Sequence, residues 1–216
     1  MFTPHRLHRI ALGGVALFVL LALLVTFGAT QPYDDALLRS IGTWRTESGT
    51  NWMLAFTLAG DGVFEVPMGV GIALLLWRLG ARTAAARYLQ IGVGGEIFYL
   101  LLKWMFHRPR PAIIPRLGDA GWYSFPSGHT MMAPVIWTLG FLLLARLVTS
   151  RVLAGALATI GLLAPFAIGA SRLYLGVHYP SDVLAALFIG GAWVLWWWPT
   201  TSSASNASTS ASPAIR

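Results

Sequence analysis

Six apolar stretches, each close to the length of a membrane-spanning helix, constrain most strongly how this chain can fold. They lie near residues 10–29, 52–77, 88–106, 128–145, 152–170 and 180–198. About 20 apolar residues cross the hydrocarbon core of a bilayer as a helix. Of the 216 residues, 56% are hydrophobic and only 11% are charged, against about 25% charged in an ordinary soluble domain. The sequence therefore predicts an all-α, six-helix transmembrane bundle over residues 1–198, with no second domain.

The two ends of the chain differ in character. The first apolar stretch follows Arg6 and Arg9, as in a cleaved signal peptide, but its apolar part exceeds about 15 residues and no clear cleavage site follows. We interpret it as an uncleaved membrane anchor. Residues 199–216 are rich in serine and alanine and too polar to form a core, so we expect a disordered cytoplasmic tail. The chain has no cysteine, which excludes disulfides, thiolate metal sites and a cysteine nucleophile.

The net charge of +7 comes largely from arginines at alternate ends of the apolar stretches. These arginines are Arg6, Arg9, Arg78, Arg82, Arg87, Arg146 and Arg151. Basic residues at such positions follow the positive-inside rule rather than indicating a nucleic-acid partner. The pattern predicts a multi-pass protein of the inner membrane with its N- and C-termini in the cytoplasm. The opposite helix ends then face the periplasm or the exterior.

Three polar clusters interrupt the apolar sequence at those outer ends. They are residues 103–111 (KWMFHRPRP), 126–129 (PSGH) and 171–182 (SRLYLGVHYPSD). Charged residues near a membrane are costly, which makes them candidates for function. Lys103 supplies a compact charge, while Arg110 and Arg172 supply planar forks suited to phosphate oxygens. Three fixed cations would repel a divalent metal, so the clusters predict an anion as the occupant.

The second and third clusters add groups that can act on an anion. Ser127 and Gly128 precede an apolar helix, whose first N–H groups and dipole favour an anion. His178 and Asp182 are four residues apart, so the carboxylate can fix the imidazole tautomer and leave the other nitrogen free to attack. Taken singly, the clusters also fit ordinary alternatives. These are snorkelling cations, a capped helix with an interfacial His129, and a helix-start hydrogen bond or a pair of metal ligands.

Together, the clusters resemble the three-part signature of the type 2 phosphatidic acid phosphatase superfamily. The matching residues are Lys103-x6-Arg110-Pro111, Pro126-Ser127-Gly128-His129 and Ser171-Arg172-x5-His178-x3-Asp182. The superfamily includes lipid phosphate phosphatases, bacterial undecaprenyl-diphosphate phosphatases and vanadium haloperoxidases. The resemblance covers about residues 8–198 and implies a six-helix plan with the active site at the extracytoplasmic helix ends.

The resemblance also implies a role for each signature residue. His178 is expected to be the nucleophile that forms a phosphohistidine, and Asp182 to orient it. His129 is expected to protonate the leaving oxygen and later to activate water. The residues expected to hold the phosphoryl oxygens are Lys103, Arg110, Ser127, Gly128 and Arg172. No metal and no cofactor is required, because fixed cations stabilise the developing charge.

The sequence therefore predicts a metal-independent membrane phosphatase whose partner is a lipid phosphate or diphosphate. Undecaprenyl diphosphate ranks first as substrate, phosphatidic acid or phosphatidylglycerophosphate second, and lipid A phosphates third. Two alternatives stay open: a vanadate-dependent haloperoxidase-type oxidoreductase, and a non-catalytic lipid-headgroup binder or transporter. Asp61, Glu65 and Glu96 lie within apolar stretches, where they either shape substrate entry or pair inside the bundle. His107 is interpreted as interfacial.

Overall fold

The structure is a computed structural model that describes residues 3–198. It consists of helices and the loops between them. The helices are α1 (Pro4–Thr26), α2 (Gln31–Thr43), α3 (Glu47–Leu58), α4 (Gly62–Arg78), α5 (Arg82–Met105), α6 (Gly128–Ala133), α7 (Gly140–Ala145), α8 (Arg151–Tyr174) and α9 (Pro180–Trp196). A π-helical segment, Pro134–Leu139, joins α6 to α7, so Gly128–Ala145 forms one span. Residues 3–198 contain no strand, which confirms the all-α prediction. The predicted tail, residues 199–216, lies outside the described residues.

The span Gly128–Ala145 forms the centre of the bundle. In this span 61% of the residues are buried, against 17% in α1 and 22% in α8. One core cluster packs α4 and α5 against Leu139, and a second packs α1, α5 and α9 against Met131. The outward faces of α1, α4, α5 and α8 expose large apolar side chains such as Val93 and Leu163. A continuous apolar surface of this kind suits a bilayer rather than water.

The predicted second span, residues 52–77, is divided into two helices. α3 and α4 are separated by residues 59–61 and bend by 50° relative to each other. Asp61 caps α4 by accepting a hydrogen bond from Val63 N (2.9 Å). Gly60 leaves room for His129, because a Cβ at Gly60 would lie 3.1 Å from His129 Cβ. Hydropathy alone does not reveal this break, since apolar residues lie on both sides of it.

The structure adds α2, which the apolar pattern does not predict. Its buried residues are Asp34 and Leu38, while most of its other positions are exposed or half-buried. α2 contacts α8 and α9. A search for apolar stretches does not detect a helix that buries an aspartate. Such an aspartate is buried because it pairs with a residue elsewhere in the chain.

In the described part of the chain, three helical spans are long and apolar enough to cross a membrane: α1, Gly128–Ala145 and α8. The bent pair of α3 and α4 gives a fourth when it is counted as one span. α5 has 24 residues but carries Arg87, Glu96 and Lys103, and α9 is apolar with 17 residues. The protein is thus an all-helical membrane protein, and the count of six spans stays a prediction.

Candidate active site

The three polar clusters meet where α5 ends, α6 begins and α8 turns into α9. Residues 106–127, which join α5 to α6, are held against the α8–α9 turn by backbone hydrogen bonds. Leu117 N donates to Leu175 O (2.9 Å), and Ser127 N donates to Asp182 O (3.3 Å). The loop between α5 and α6 therefore has a fixed position relative to the turn that carries the third cluster.

His178 lies in this turn, and only 2% of its side chain is exposed. Its Nε2 is 3.1 Å from Arg110 Nη1, and its Nδ1 is 3.5 Å from both Asp182 Oδ2 and Ser124 Oγ. A guanidinium can only donate, so Nε2 is the acceptor and the proton of the neutral ring belongs on Nδ1. Burial lowers the pKa of His178 to about 3, although Asp182 acts in the opposite direction. At neutral pH the ring therefore keeps a lone pair on Nε2.

Asp182 is fully buried, and both of its carboxylate oxygens have partners. Oδ2 accepts hydrogen bonds from Tyr179 N (2.9 Å) and Ser124 Oγ, and Oδ1 accepts one from Arg108 Nη1 (2.6 Å). A buried carboxylate needs such partners because an unpaired charge is costly to desolvate. The sequence motifs predict neither Ser124 nor Arg108 as part of the site. Two observations could have indicated Arg108. It is a second arginine two residues before Arg110, and a buried aspartate needs a cation as its partner.

Lys103 and Arg172 are buried cations, and neither forms an ion pair with a carboxylate in the described part of the chain. Lys103 Nζ donates to Pro126 O (3.1 Å), and Arg172 Nη1 donates to Thr57 Oγ1. Arg172 Nε has no hydrogen-bond partner among residues 3–198. Buried charges are stable only when they are compensated. The arrangement therefore favours an anion as the missing counter-charge.

Arg110 differs from these two cations because backbone carbonyls occupy most of its donors. Nη2 donates to Gly121 O (2.6 Å), Nε to Trp122 O (3.1 Å) and Nη1 to Val177 O (2.7 Å). Burial lowers the pKa of the Arg110 guanidinium from its ordinary value. The carbonyls hold the guanidinium directly beside Nε2 of His178, so an anion that approaches this nitrogen also meets Arg110.

The PSGH segment lies at the start of α6. Ser127 occupies the N-cap position, as predicted, but its Oγ lies 2.9 Å from Thr130 Oγ1 and caps no backbone N–H. Gly128 faces the ring of Tyr99, since a Cβ at this position would lie 2.6 Å from Tyr99 Cζ. Packing against Tyr99 therefore requires glycine here. The anion contact predicted for Ser127 and Gly128 stays a prediction.

His129 contacts the break between α3 and α4. Its Nε2 lies 3.8 Å from Asp61 Oδ2, and 24% of the His129 side chain and 44% of the Asp61 side chain are exposed. Asp61, whose role the sequence left open, is thus a carboxylate that faces the predicted general acid. Both side chains are more accessible than His178, as a group that exchanges protons with a leaving oxygen and with water needs to be.

The remaining polar residues of the sequence analysis lie elsewhere. Glu65 and Glu96 line, together with Tyr88, a groove of about 330 Å³ between α4 and α5. Glu65 is buried, and its Oε1 has no hydrogen-bond partner in the described chain. His107 packs edge-to-face against Tyr123, with ring centroids 4.5 Å apart. In residues 3–198, no group of three or more histidine, aspartate or glutamate side chains is arranged to hold a metal ion.

Comparisons with known proteins identify relatives of the chain. Residues 75–205 match the family model of the PAP2 superfamily. Phosphatidylglycerophosphatase B of Bacillus subtilis (strain 168) is 27% identical over 183 residues, which cover 80% of this chain and 85% of that protein. Undecaprenyl-diphosphatase BcrC of the same organism is 32% identical over 128 residues, which cover 55% of this chain and 60% of that protein.

The fold also resembles a solved structure, the crystal structure of the first transmembrane PAP2 type phosphatidylglycerolphosphate phosphatase from Bacillus subtilis. The TM-score is 0.80 at 24% identity, and the match covers 87% of this chain and 92% of that chain. At this identity the likeness establishes the fold. The family match, in contrast, spans more than half of the sequence and includes every signature residue from Lys103 to Asp182. The chain therefore belongs to the PAP2 superfamily.

Proposed function

We propose that the protein is a metal-independent phosphatase that hydrolyses a membrane lipid phosphate or diphosphate through a phosphohistidine on His178. One observation carries the proposal: His178 Nε2 lies 3.1 Å from the Arg110 guanidinium, in a site where Lys103 and Arg172 are buried and, among residues 3–198, form no ion pair with a carboxylate. Phosphoryl transfer depends mainly on positioning and on stabilisation of charge. A nucleophile beside uncompensated cations meets both needs.

The first step transfers the phosphoryl group to His178. The Nε2 lone pair attacks phosphorus while the bond from phosphorus to the leaving oxygen breaks. The electron pair of that bond stays on the leaving oxygen, which takes a proton from His129. Asp182 accepts the Nδ1–H and balances the positive charge that develops on the ring. Arg110 Nη1 moves its hydrogen bond from Nε2 to a phosphoryl oxygen.

The second step regenerates the enzyme. Water attacks the phosphorus of the phosphohistidine and gives a proton to His129, which is neutral after the first step. The nitrogen–phosphorus bond breaks, its electron pair returns to Nε2, and inorganic phosphate leaves. Asp61 Oδ2 lies 3.8 Å from His129 Nε2, so a carboxylate faces the ring that exchanges the proton.

For the substrate, we place undecaprenyl diphosphate first, ahead of phosphatidic acid and phosphatidylglycerophosphate. The two relatives are named for undecaprenyl diphosphate and for phosphatidylglycerophosphate, and the chemistry above serves an anhydride or an ester. We propose that the groove between α4 and α5 holds the lipid chain of the substrate. Its lining includes Gly62, which follows Asp61 in the sequence, and apolar side chains such as Val66 and Val93.

Phosphate release by the purified protein in detergent tests the activity. The substrates are undecaprenyl diphosphate, phosphatidic acid and phosphatidylglycerophosphate, each with excess EDTA. We expect phosphate from at least one lipid with the wild type and none with His178→Ala. His107→Ala is the matched control, because it removes a histidine that packs against Tyr123 and has no role in the proposed steps, and it should keep most of the activity. No release from any lipid, or equal release by His178→Ala, would contradict the proposal.

We further propose that the site opens on the extracytoplasmic side. Arg146 stacks on Trp198 (4.7 Å), and His8 stacks on Trp196 (ring centroids 4.8 Å apart). The α7–α8 turn therefore lies at the same end of the bundle as the start of α1 and the end of α9. The arginines of this end favour the cytoplasm, and the polar clusters lie at the other ends of their helices.

Single cysteines test this orientation without background, because the chain has none of its own. Asp119→Cys lies in the loop between α5 and α6, and Thr149→Cys lies in the α7–α8 turn; both positions are exposed. In intact cells, a membrane-impermeant thiol reagent should label position 119 at once and position 149 only after lysis. The reverse pattern would place the site on the cytoplasmic leaflet.

A further inference from the structure

Arg108, which the mechanism above does not use, contacts the residues that follow His178. Its Cζ lies 4.0 Å from the centre of the Tyr179 ring. Its Nη1 donates to Ser181 Oγ (2.7 Å) and to Asp182 Oδ1 (2.6 Å). The guanidinium therefore packs on one side chain of the turn and donates hydrogen bonds to two others. It holds the carboxylate oxygen opposite to the one that faces His178.

A second carboxylate holds the other side of this guanidinium. Nη2 of Arg108 donates to Asp34 Oδ2 (2.7 Å) and to Gln31 Oε1 (3.0 Å). Asp34, which is buried, also accepts hydrogen bonds from Ser181 N (2.9 Å) and Ser181 Oγ (2.6 Å). Arg108 and Ser181 thereby connect α2 to the first turn of α9, which carries Asp182.

The charges of this network complement the proposed reaction. Burial alone would lower the pKa of Arg108, but Asp182 and Asp34 together raise it above its ordinary value, so the guanidinium stays charged. Two carboxylates and one guanidinium leave one net negative charge beside His178. In the proposed reaction the ring becomes cationic on phosphorylation, and the Asp182 carboxylate that faces Nδ1 is placed to balance the new charge.

We propose that Arg108 and Asp34 are positioning residues for phosphoryl transfer, with Arg108 fixing the Asp182 carboxylate so that Oδ2 faces His178 Nδ1, and Asp34 fixing Arg108. This inference rests on the proposed phosphatase function. Because the Nη donors of Arg108 are bonded to protein groups, it acts through Asp182 and not on the lipid. Its removal should therefore change turnover and leave substrate affinity nearly unchanged.

Kinetics of Arg108→Gln, Arg108→Lys and Asp34→Asn test the inference with the lipid that the wild type hydrolyses. We expect Arg108→Gln to lower kcat about 100-fold with KM within about twofold, as for a misplaced catalytic group. The acidic limb of its pH–kcat profile should move to higher pH, because the Asp182 anion loses its cation. Arg108→Lys keeps the charge but loses the fork, so it should restore the pH profile and part of kcat. Asp34→Asn should lower kcat about 10-fold, since Arg108 still reaches Asp182.

The control is Arg39→Gln, which removes an arginine from the exposed face of α2 and should match the wild type. A wild type that releases no phosphate would reject the proposed function itself. An Arg108→Gln variant with wild-type kcat and pH profile would overturn this inference and leave the function intact. Thermal unfolding in detergent tests whether Arg108 has only a structural role. If the loss of kcat only follows the loss of folded protein and the acidic limb does not move, the inference is also wrong.

Discussion

Replacing Gly128 by alanine should displace the start of α6 and slow turnover without removing any reactive group. The added Cβ would lie 2.6 Å from both Cζ and Oη of Tyr99, where ordinary contacts begin at 3.4 Å. The ring or the helix start must therefore move by about 0.8 Å. The obstacle is the phenol end of Tyr99, whose ring packs against both core clusters, so the ring can move away only by disturbing that packing.

The expected size of the effect follows from this displacement. Overpacking of a well-packed site costs about 1–3 kcal/mol, which should lower the midpoint of thermal unfolding in detergent. Ser127 and His129 flank Gly128, so a shift of this size also moves the proposed general acid. A misplacement of about 1 Å costs about 100-fold in rate. We therefore expect kcat for phosphate release to fall about 100-fold.

Two further variants show whether Tyr99 is the cause. Gly71→Ala is the matched control, because no atom lies within 4 Å of its added Cβ and alanine favours a helix by about 1 kcal/mol; it should keep full activity and unfold no earlier than wild type. In a Tyr99→Ala background, Gly128→Ala should have little additional effect on kcat. The reasoning fails if Gly128→Ala has wild-type kcat, or if it causes the same loss when the Tyr99 ring is absent.

Three other predictions concern the histidines. Asp182→Asn should stay folded but release phosphate about 1,000- to 10,000-fold more slowly, because an amide facing Nδ1 favours the wrong tautomer; a variant with near wild-type kcat would contradict the role of Asp182. The pKa of His178 is about 3 in the folded protein and about 6.5 when unfolded, so the stability that neutral His178 contributes should be lost as the pH falls from about 6.5 towards 3. Thermal unfolding against pH checks this, and His178→Gln should show a weaker dependence. Asp61→Asn should lower kcat about 10-fold on a lipid monophosphate and less on a diphosphate, whose leaving oxygen needs less protonation. Equal losses on both lipids would argue against a role of Asp61 through His129.

Much of the site could be predicted because its chemistry is encoded in local spacing. The interval of four residues between His178 and Asp182 brings Nδ1 and Oδ2 within 3.5 Å, and Arg110 lies beside Nε2. Polar residues at the ends of apolar stretches are conspicuous in such a chain. Their types alone indicate an anion site with a nucleophile.

The parts that could not be predicted depend on contacts between distant segments. The salt bridge between Asp34 and Arg108 joins α2 to the loop after α5. No local sequence pattern around either residue predicts that the two form a pair. At the bend between α3 and α4, Gly60 packs closely against Ile168 and His129, which belong to other helices. The need for glycine at position 128 comes from Tyr99, on a different helix. Each of these features depends on packing between segments that are distant in the sequence. Hydropathy and motif spacing describe only the residues within one segment.

The distribution of buried charge explains how such a site can stabilise a phosphate without a metal. Asp182 and Asp34 are both paired with Arg108, so the carboxylates nearest the nucleophile are already satisfied and do not neutralise the other cations. Lys103 and Arg172 are buried and, within residues 3–198, form no ion pair with a carboxylate; in such a poorly solvated setting an electrostatic interaction is stronger than in water. In the proposed mechanism, folding therefore sets up the positive potential before the lipid arrives, and the phosphate meets oriented donors that need little rearrangement. In the proposed mechanism, Arg108 also contributes by pairing with Asp182, a carboxylate that would otherwise compete with the phosphate for Lys103 and Arg110.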